Sequence, residues 1–163
     1  GILKNYIPVC KMALRTHSST AVEKYSQKAA DKCVPLDSEL IKEAIPLFTQ
    51  IHHCGSVLTE VFFAMMISRI LYGSVPAPGT MLIFSILLAT CSIGTPGLPW
   101  GTVMVSLGTL TGILKFGDSG MALMFAVFAL NDAFAAACNA TCDGAAALFL
   151  TGYVKRHDFS NRL

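Results

Sequence analysis

The chain has 163 residues, of which 53% are hydrophobic and 13% charged, and its mean hydropathy is +0.59. An ordinary soluble domain carries about 25% charged residues, so this composition argues against a typical soluble enzyme and against a disordered chain. The net charge of +2 is too small to indicate a nucleic-acid partner. The length allows one domain. Because the first residue is glycine rather than methionine, a piece of a longer protein is one interpretation.

The charged residues are unevenly distributed. The first 43 residues and the tail are rich in Lys and Arg, whereas Arg69 and Lys115 are the only Lys or Arg residues between positions 44 and 154. Because Lys and Arg favour cytoplasmic loops, this pattern predicts a multi-pass protein of the plasma or inner membrane, with lipid as a partner and the tail at 155–163 in the cytoplasm. No secretory signal peptide is visible, and the six cysteines are expected to be free thiols.

The first segment, residues 1–35, is polar and mixed in charge, which argues against a lipid-facing span. Its hydroxyl-rich run from Thr16 to Thr20 is typical of a turn between helices, and taken alone it favours that plain interpretation. The alternative is a helical hairpin whose tip presents hydroxyls and amides to a ligand.

The second segment, residues 36–73, predicts a transmembrane helix that begins at Asp37 or Ser38, both good N-cap residues. Gly55 and a polar run interrupt the apolar pattern midway, and that run comprises Gln50, His52, His53 and Ser56. A transmembrane helix needs about 20 apolar residues, so we expect this segment to cross the bilayer as a broken helix.

The third segment, residues 74–116, contains two apolar stretches separated by a centre rich in Gly and Pro, SIGTPGLPWGT at 92–102. Such a centre disfavours a continuous helix, and each stretch is shorter than a membrane crossing. Two short arms around this centre predict a re-entrant helical hairpin. Irregular backbone at membrane depth is tolerated only when it is buried or lines a cavity. The tip is therefore a candidate binding site, and a plain turn between two helices is the alternative.

The fourth segment, residues 117–154, is predicted to be a long, Ala-rich transmembrane helix that carries two carboxylates. Asp132, Asn139 and Asp143 are spaced i, i+7 and i+11, which places them on one helical face. A carboxylate inside a membrane is costly and by default indicates function. We expect Asp143 to bind a hard cation with help from Asn139, and Asp132 to pair with a substrate ammonium group. The alternative is a soluble helical core with both carboxylates as caps or surface groups.

Histidine and cysteine offer a metal site as a further alternative. His52, His53 and Cys54 are adjacent in the second segment, and Cys138 and Cys142 are spaced i, i+4 in the fourth. Three adjacent residues cannot face one point on a regular helix, so such a site needs unwound backbone. The simpler interpretation has one histidine facing a cavity and Cys54 packed as a small apolar side chain.

The order of these segments resembles the C-terminal half of the dicarboxylate/amino-acid:cation symporter family, the glutamate-transporter family. THSST is similar to the tip of that family's first re-entrant hairpin, and IPLFTQIHHCGS lies where the family has its broken helix. SIGTPGLPWGT is similar to the tip of the second hairpin, and NDAFAAACNATCDG to the last helix. The resemblance implies an all-α membrane protein with two re-entrant helical hairpins and two transmembrane helices, one of them broken, as in the core of an elevator-type transport domain.

The resemblance also implies roles for individual residues. Those implied to contact the substrate are Ser18, Ser19, Gly97, Leu98, Asp132 and Asn139. Those implied to contact the coupling cation are Ser92, Ile93, Thr95, Asn139, Asp143 and, more weakly, His52. The implied cation is sodium, and no further cofactor or metal is expected.

Several positions depart from the family's pattern. Ala135 stands where the family has the Arg that recognises an acidic side chain, so we expect a small amino acid or carboxylate other than an acidic amino acid as substrate. His52, Cys54 and Ser56 stand for Asn, Asp and Thr of the broken-helix signature. One cation carboxylate is thereby lost, and proton coupling through a histidine becomes an alternative to sodium coupling.

We therefore predict a secondary active transporter, a cation-coupled symporter, rather than an enzyme. The family's N-terminal half has no counterpart in this sequence, so a fragment, a divergent relative and one part of a split protein are all open. A homotrimer is expected if the full-length chain carries a scaffold domain. The alternative functions are a non-transporting membrane relative or subunit and a helical metal-binding protein.

Overall fold

The computed structural model describes residues 2–33, 38–93, 95 and 101–157. These residues form helices joined by turns, with no strand among them, which confirms the predicted all-α class. In chain order the helices are α1 (Ile2–Thr16), α2 (Glu23–Asp31), α3 (Ser38–Ile51), α4 (Cys54–Tyr72), α5 (Pro78–Ser92), α6 (Gly101–Gly112) and α7 (Asp118–Arg156), with a 3-10 turn at Thr20–Val22. By length and composition, the stretch 38–72 and α7 are each able to cross a membrane.

The helices α1 and α2 pack against each other as a helix–turn–helix pair. α1 ends next to His17, which takes the left-handed backbone conformation with φ 53°. The Ser18 hydroxyl then accepts the Ala21 N–H at 3.2 Å, so it satisfies one of the free donors at the start of the next helical turn. The hydroxyl-rich run is the turn of this pair, and Ser18 and Ser19 are buried in it.

A two-residue break at His52 and His53 separates α3 from α4. The His52 N–H still donates to the Phe48 carbonyl at 2.7 Å, so the last turn of α3 is complete. His53 then leaves the helical conformation, with φ −110° and ψ 40°. The break falls inside the polar run where the sequence predicts an interruption.

The helices α5 and α6 form a second packed pair, and residues 94 and 96–100 between them lie outside the described part of the chain. Pro78 begins α5, where its missing N–H and fixed φ are well tolerated. At about 1.5 Å per residue, the two helices are about 22 and 18 Å long, against about 30 Å for the hydrocarbon core of a bilayer. Neither helix is long enough to cross a bilayer by itself.

The 39-residue helix α7 contacts both the early helices α1, α2 and α3 and the later helices α4 and α6. Its first half contributes Met124 and Phe128 to a cluster of large apolar side chains with α4, α5 and α6. Its second half contributes Ala140 and Ala147 to a cluster with α1, α2 and α3. The buried face that carries Asp132, Asn139 and Asp143 spans the junction between the two clusters.

Large apolar side chains also lie on the outer surface of the helices. Leu58, Leu130 and Phe149 are each more than two-thirds exposed. Exposed apolar surface of this kind marks a membrane-facing or partner-facing region. The helices thus present the apolar exterior that a lipid-embedded protein needs.

Candidate functional site

Asp143 lies on the buried face of α7, beside the break between α3 and α4, and is 1% exposed. Its Oδ1 atom is 3.2 Å from His52 Nδ1, and its Oδ2 atom is 3.3 Å from the Thr49 hydroxyl. The Thr49 hydroxyl also donates to the Ile45 carbonyl at 2.8 Å, so it is shared between two acceptors. A buried carboxylate is therefore held against the point where a long apolar helix loses its regular backbone.

The charge at this site depends on His52, whose side chain is 32% exposed. When the His52 imidazole is neutral, it does not offset the charge of an ionised Asp143 carboxylate, which then attracts a cation. When the imidazole is protonated, it forms an ion pair with Asp143 and the two charges cancel. A proton on His52 therefore competes with a cation at Asp143.

Asn139 connects α7 to the start of α4. Its Oδ1 atom accepts the Gly55 N–H at 2.7 Å and the Ser56 N–H at 3.3 Å, and its Nδ2 atom donates to the Ser56 hydroxyl at 2.9 Å. The first N–H groups of a helix have no partner within the helix, so Asn139 serves as a cap supplied from another helix. Sequence reasoning placed Asn139 among ligand-binding residues, and the structure adds this capping role, which occupies its amide oxygen.

Gly55 allows α4 to approach α7 closely. A Cβ atom at this position would lie 2.6 Å from the Ala135 carbonyl oxygen and 2.6 Å from the Cys138 Cβ atom. Real Cβ atoms do not approach other atoms so closely, and one of the two obstacles is backbone. Glycine is therefore needed here for the Asn139 amide to reach the start of α4.

Asp132 is buried on the same face of α7, three helical turns before Asp143. At about 1.5 Å per residue, eleven residues separate the two positions by about 16 Å along the helix axis. Two such distant carboxylates cannot share one small ion. The structure thus provides two acidic positions, with Ala135 and Asn139 between them.

The described part of the second hairpin tip meets the helix break through His53. The His53 Nε2 atom is 2.8 Å from the Thr95 carbonyl oxygen, and Thr95 in turn donates its N–H to the Ser92 carbonyl at 3.1 Å. Ser92 is buried, whereas the Ile93 side chain is exposed. Gly97 and Leu98, also predicted as tip residues, lie outside the described residues.

The first tip, with Ser18 and Ser19, is carried by a pair of helices that pack on the second half of α7. The Cys10 thiol in α1 is 2.9 Å from the Thr141 hydroxyl, and the space above Gly144 is filled by the Tyr6 ring. The tip is therefore fixed to α7 through α1, on the side of α7 that carries Asp143.

Three thiols meet where α4 begins. The Sγ atoms of Cys54, Cys138 and Cys142 lie within 4.8 Å of one another. The sequence favours Cys54 as a small apolar side chain over a metal ligand beside His52 and His53, and only the i, i+4 spacing of Cys138 and Cys142 indicates a site shared by those two. His52 is engaged with Asp143 instead, so the combined histidine–cysteine site considered from sequence is not the group that forms.

Glu60 is a third buried carboxylate, to which the sequence assigned no role. It is 0% exposed, and among the described residues neither of its oxygens has a hydrogen-bond partner. The neighbouring Ser106 hydroxyl donates to the Val103 carbonyl at 2.9 Å instead. The feature of the sequence that could have indicated a role for Glu60 is its position as a charged residue within the apolar helix α4.

Comparison with known proteins gives one match. The sequence model of the Sodium:dicarboxylate symporter family matches residues 1–152. No curated protein and no solved structure matches the chain significantly. The family match covers every residue of the geometry described above, from the first hairpin through Asp143.

Proposed function

The chain belongs to the sodium:dicarboxylate symporter family, and we propose that it supplies the solute- and ion-binding part of a cation-coupled transporter for a small amino acid or carboxylate. The family is one of membrane-embedded transporters rather than enzymes, which sets aside the alternative of a soluble protein. The observation that carries the proposal is the buried carboxylate of Asp143 beside the helix break.

Asp143 supports cation binding because burial removes water from a negative group that has little else to neutralise it. Its described polar contacts are His52 and the shared hydroxyl of Thr49. Sodium binds oxygen ligands, and the proposed set combines this carboxylate with hairpin carbonyls near Ser92 and Thr95. Proton coupling through His52 is the alternative, since a protonated imidazole cancels the same charge.

Asp132 and Ala135 support the proposed substrate. A buried carboxylate on the face of α7 can pair with an ammonium group. Ala135, one turn further along, is 1% exposed and offers no cation for a second carboxylate. We therefore propose a substrate whose ammonium group is held at Asp132 and whose side chain carries no carboxylate, which excludes an acidic amino acid.

The proposal includes an arrangement in the membrane. The α1–α2 and α5–α6 pairs enter and return as re-entrant hairpins, whereas residues 38–72 and α7 cross the bilayer. The lengths of α5 and α6 favour this arrangement. In it the C-terminal tail faces the cytoplasm, and the complete protein assembles as a trimer if a scaffold domain is present.

Asp143→Asn tests the proposal in the complete protein reconstituted into liposomes. A unit charge about 4 Å from an ion contributes about 4 kcal/mol at an effective dielectric constant near 20, so we expect the affinity for the coupling cation to fall by more than about tenfold. Uptake of radiolabelled neutral amino acids and of dicarboxylates is measured under a sodium gradient and, separately, under a proton gradient.

Asp118→Asn is the matched control, because it removes an exposed carboxylate from the first turn of the same helix. Unchanged cation dependence in Asp143→Asn, with uptake retained, would contradict the assignment of the ion site. Preferential uptake of an acidic amino acid would contradict the proposed substrate class and leave the ion site intact.

A further inference from the structure

We propose that Cys54, Cys138 and Cys142 form a binding site for a thiophilic d10 cation of the zinc class, separate from the site of the coupling ion. Their three Sγ atoms lie within 4.8 Å of one another, although the residues come from two helices. Thiolate sulfur prefers Zn2+ and similar ions over sodium, which takes oxygen ligands. Binding of such an ion requires no transport activity.

Backbone packing holds the three thiols together. Cys54 is the first residue of α4, and its neighbour Gly55 lies directly against Cys138 on α7. The Asn139 amide binds the first N–H groups of α4, so it fixes this end of the helix over α7. Cys138 and Cys142 lie one turn apart on α7 and face the same way. The trio therefore exists without any rearrangement of the helices.

The spacing suits tetrahedral coordination. With Zn–S bonds of about 2.3 Å, two thiolates on a tetrahedral ion lie about 3.8 Å apart. The observed Sγ atoms need to move by only about 1 Å or less, which rotation about χ1 of the cysteines can provide. Among the described residues no further Cys, His, Asp or Glu joins the group. The fourth position is left to a ligand from outside the trio, because Cys138 is exposed on the outer surface of the helices and leaves that side of the site open.

The binding step is balanced by proton release. Each thiol loses one proton as its S–H bond is replaced by a bond from sulfur to the ion, so one divalent ion displaces three protons and the site carries a net charge of −1. No oxidant or reductant takes part. The bound ion would connect the start of α4 to α7 beside the helix break.

Cadmium titration of the complete, reduced protein in detergent tests this inference, because thiolate-to-cadmium charge transfer gives an ultraviolet band. We expect one Cd2+ bound per chain, a saturable band and displacement by Zn2+. In Cys54→Ser the affinity should fall by more than about tenfold, since the loss of even an outer-shell partner of a metal costs that much. Cys142→Ser should behave in the same way.

Cys91→Ser is the control, because Cys91 is an exposed thiol on α5 outside the trio. Circular dichroism and thermal melting verify that each variant is folded. A band of unchanged amplitude and affinity in both Cys54→Ser and Cys142→Ser would overturn the inference. So would an equal loss in Cys91→Ser, or a disulfide that joins Cys54 to either partner in the reduced preparation.

Discussion

The two halves of α7 contact their neighbours in different ways. The second half contributes small residues to an apolar cluster with α1 and α3 and adds directed hydrogen bonds, among them Cys10 to Thr141, Thr49 to Asp143 and Gly55 to Asn139. The first half meets α4, α5 and α6 through large apolar side chains. The polar half thus surrounds Asp143, and the apolar half carries the second hairpin.

This difference separates a fixed part of the molecule from an adaptable part. Hydrogen bonds are directional and leave one arrangement of the helices, whereas apolar burial is non-directional and tolerates shifts between packed side chains. We therefore expect the surroundings of Asp143 to be the rigid part, and the α5–α6 pair to be the part that rearranges when a solute binds.

The largest expected difference is between two separate glycine-to-alanine variants, one in each half. In the polar half, Gly55→Ala forces α4 away from the Ala135 carbonyl and from the Asn139 cap, and should lower the free energy of unfolding by about 3 kcal/mol. In the apolar half, Gly108→Ala adds a Cβ to open space on α6, and should raise the free energy of unfolding by about 0.4–1 kcal/mol. Thermal unfolding in detergent measures both, and equal effects in the two variants would contradict the comparison.

A smaller effect is expected from Glu60, a buried carboxyl group on α4 in the region that packs against the apolar half of α7. At alkaline pH, Glu60→Gln removes the cost of keeping an ionised carboxylate away from water, so the free energy of unfolding should rise by about 2 kcal/mol. At acidic pH, where the carboxyl group is neutral, the gain should disappear. Glu43→Gln, an exposed position on α3, is the control and should change little at either pH. A gain that does not vary with pH would refute this account.

The smallest effect is expected at the contact between the two halves. His53→Ala removes the hydrogen bond from the helix break to the Thr95 carbonyl, worth about 1 kcal/mol. Amide hydrogen exchange near Ser92 and Thr95 should then become about fivefold faster. His157→Ala, at the exposed end of α7, is the control. Unchanged exchange at the hairpin would show that His53 does not hold it.

Local patterns in the sequence predicted much of this architecture. Apolar runs and Gly/Pro punctuation predicted helices and an interruption at the polar run, which the structure has at His52 and His53. Helical periodicity predicted that Asp132, Asn139 and Asp143 share one face, and all three are buried. Both predictions depend on residues close in the chain. The re-entrant placement of the hairpins and the ligand roles of these residues stay predictions.

Contacts between distant segments could not be predicted in the same way. The capping of α4 by Asn139 and the meeting of Cys54 with Cys138 depend on how closely two helices approach, which Gly55 decides. No periodicity in either helix encodes that distance. The resemblance to a family located these segments in order. It assigned Asn139 a ligand role, but it did not indicate that Asn139 caps α4.

The length of α7 has a consequence for how ions and solutes reach the two carboxylates. Its 39 residues extend for about 58 Å, nearly twice the hydrocarbon thickness, so both of its ends project into water at any ordinary tilt. With the helix centred, Asp132 and Asp143 lie only about 8 and 9 Å from the midplane, on opposite sides of it. In a helix α7 that crosses the bilayer in this way, neither carboxylate contacts bulk solution directly, so ions and solutes need a hydrated path through the protein to reach them.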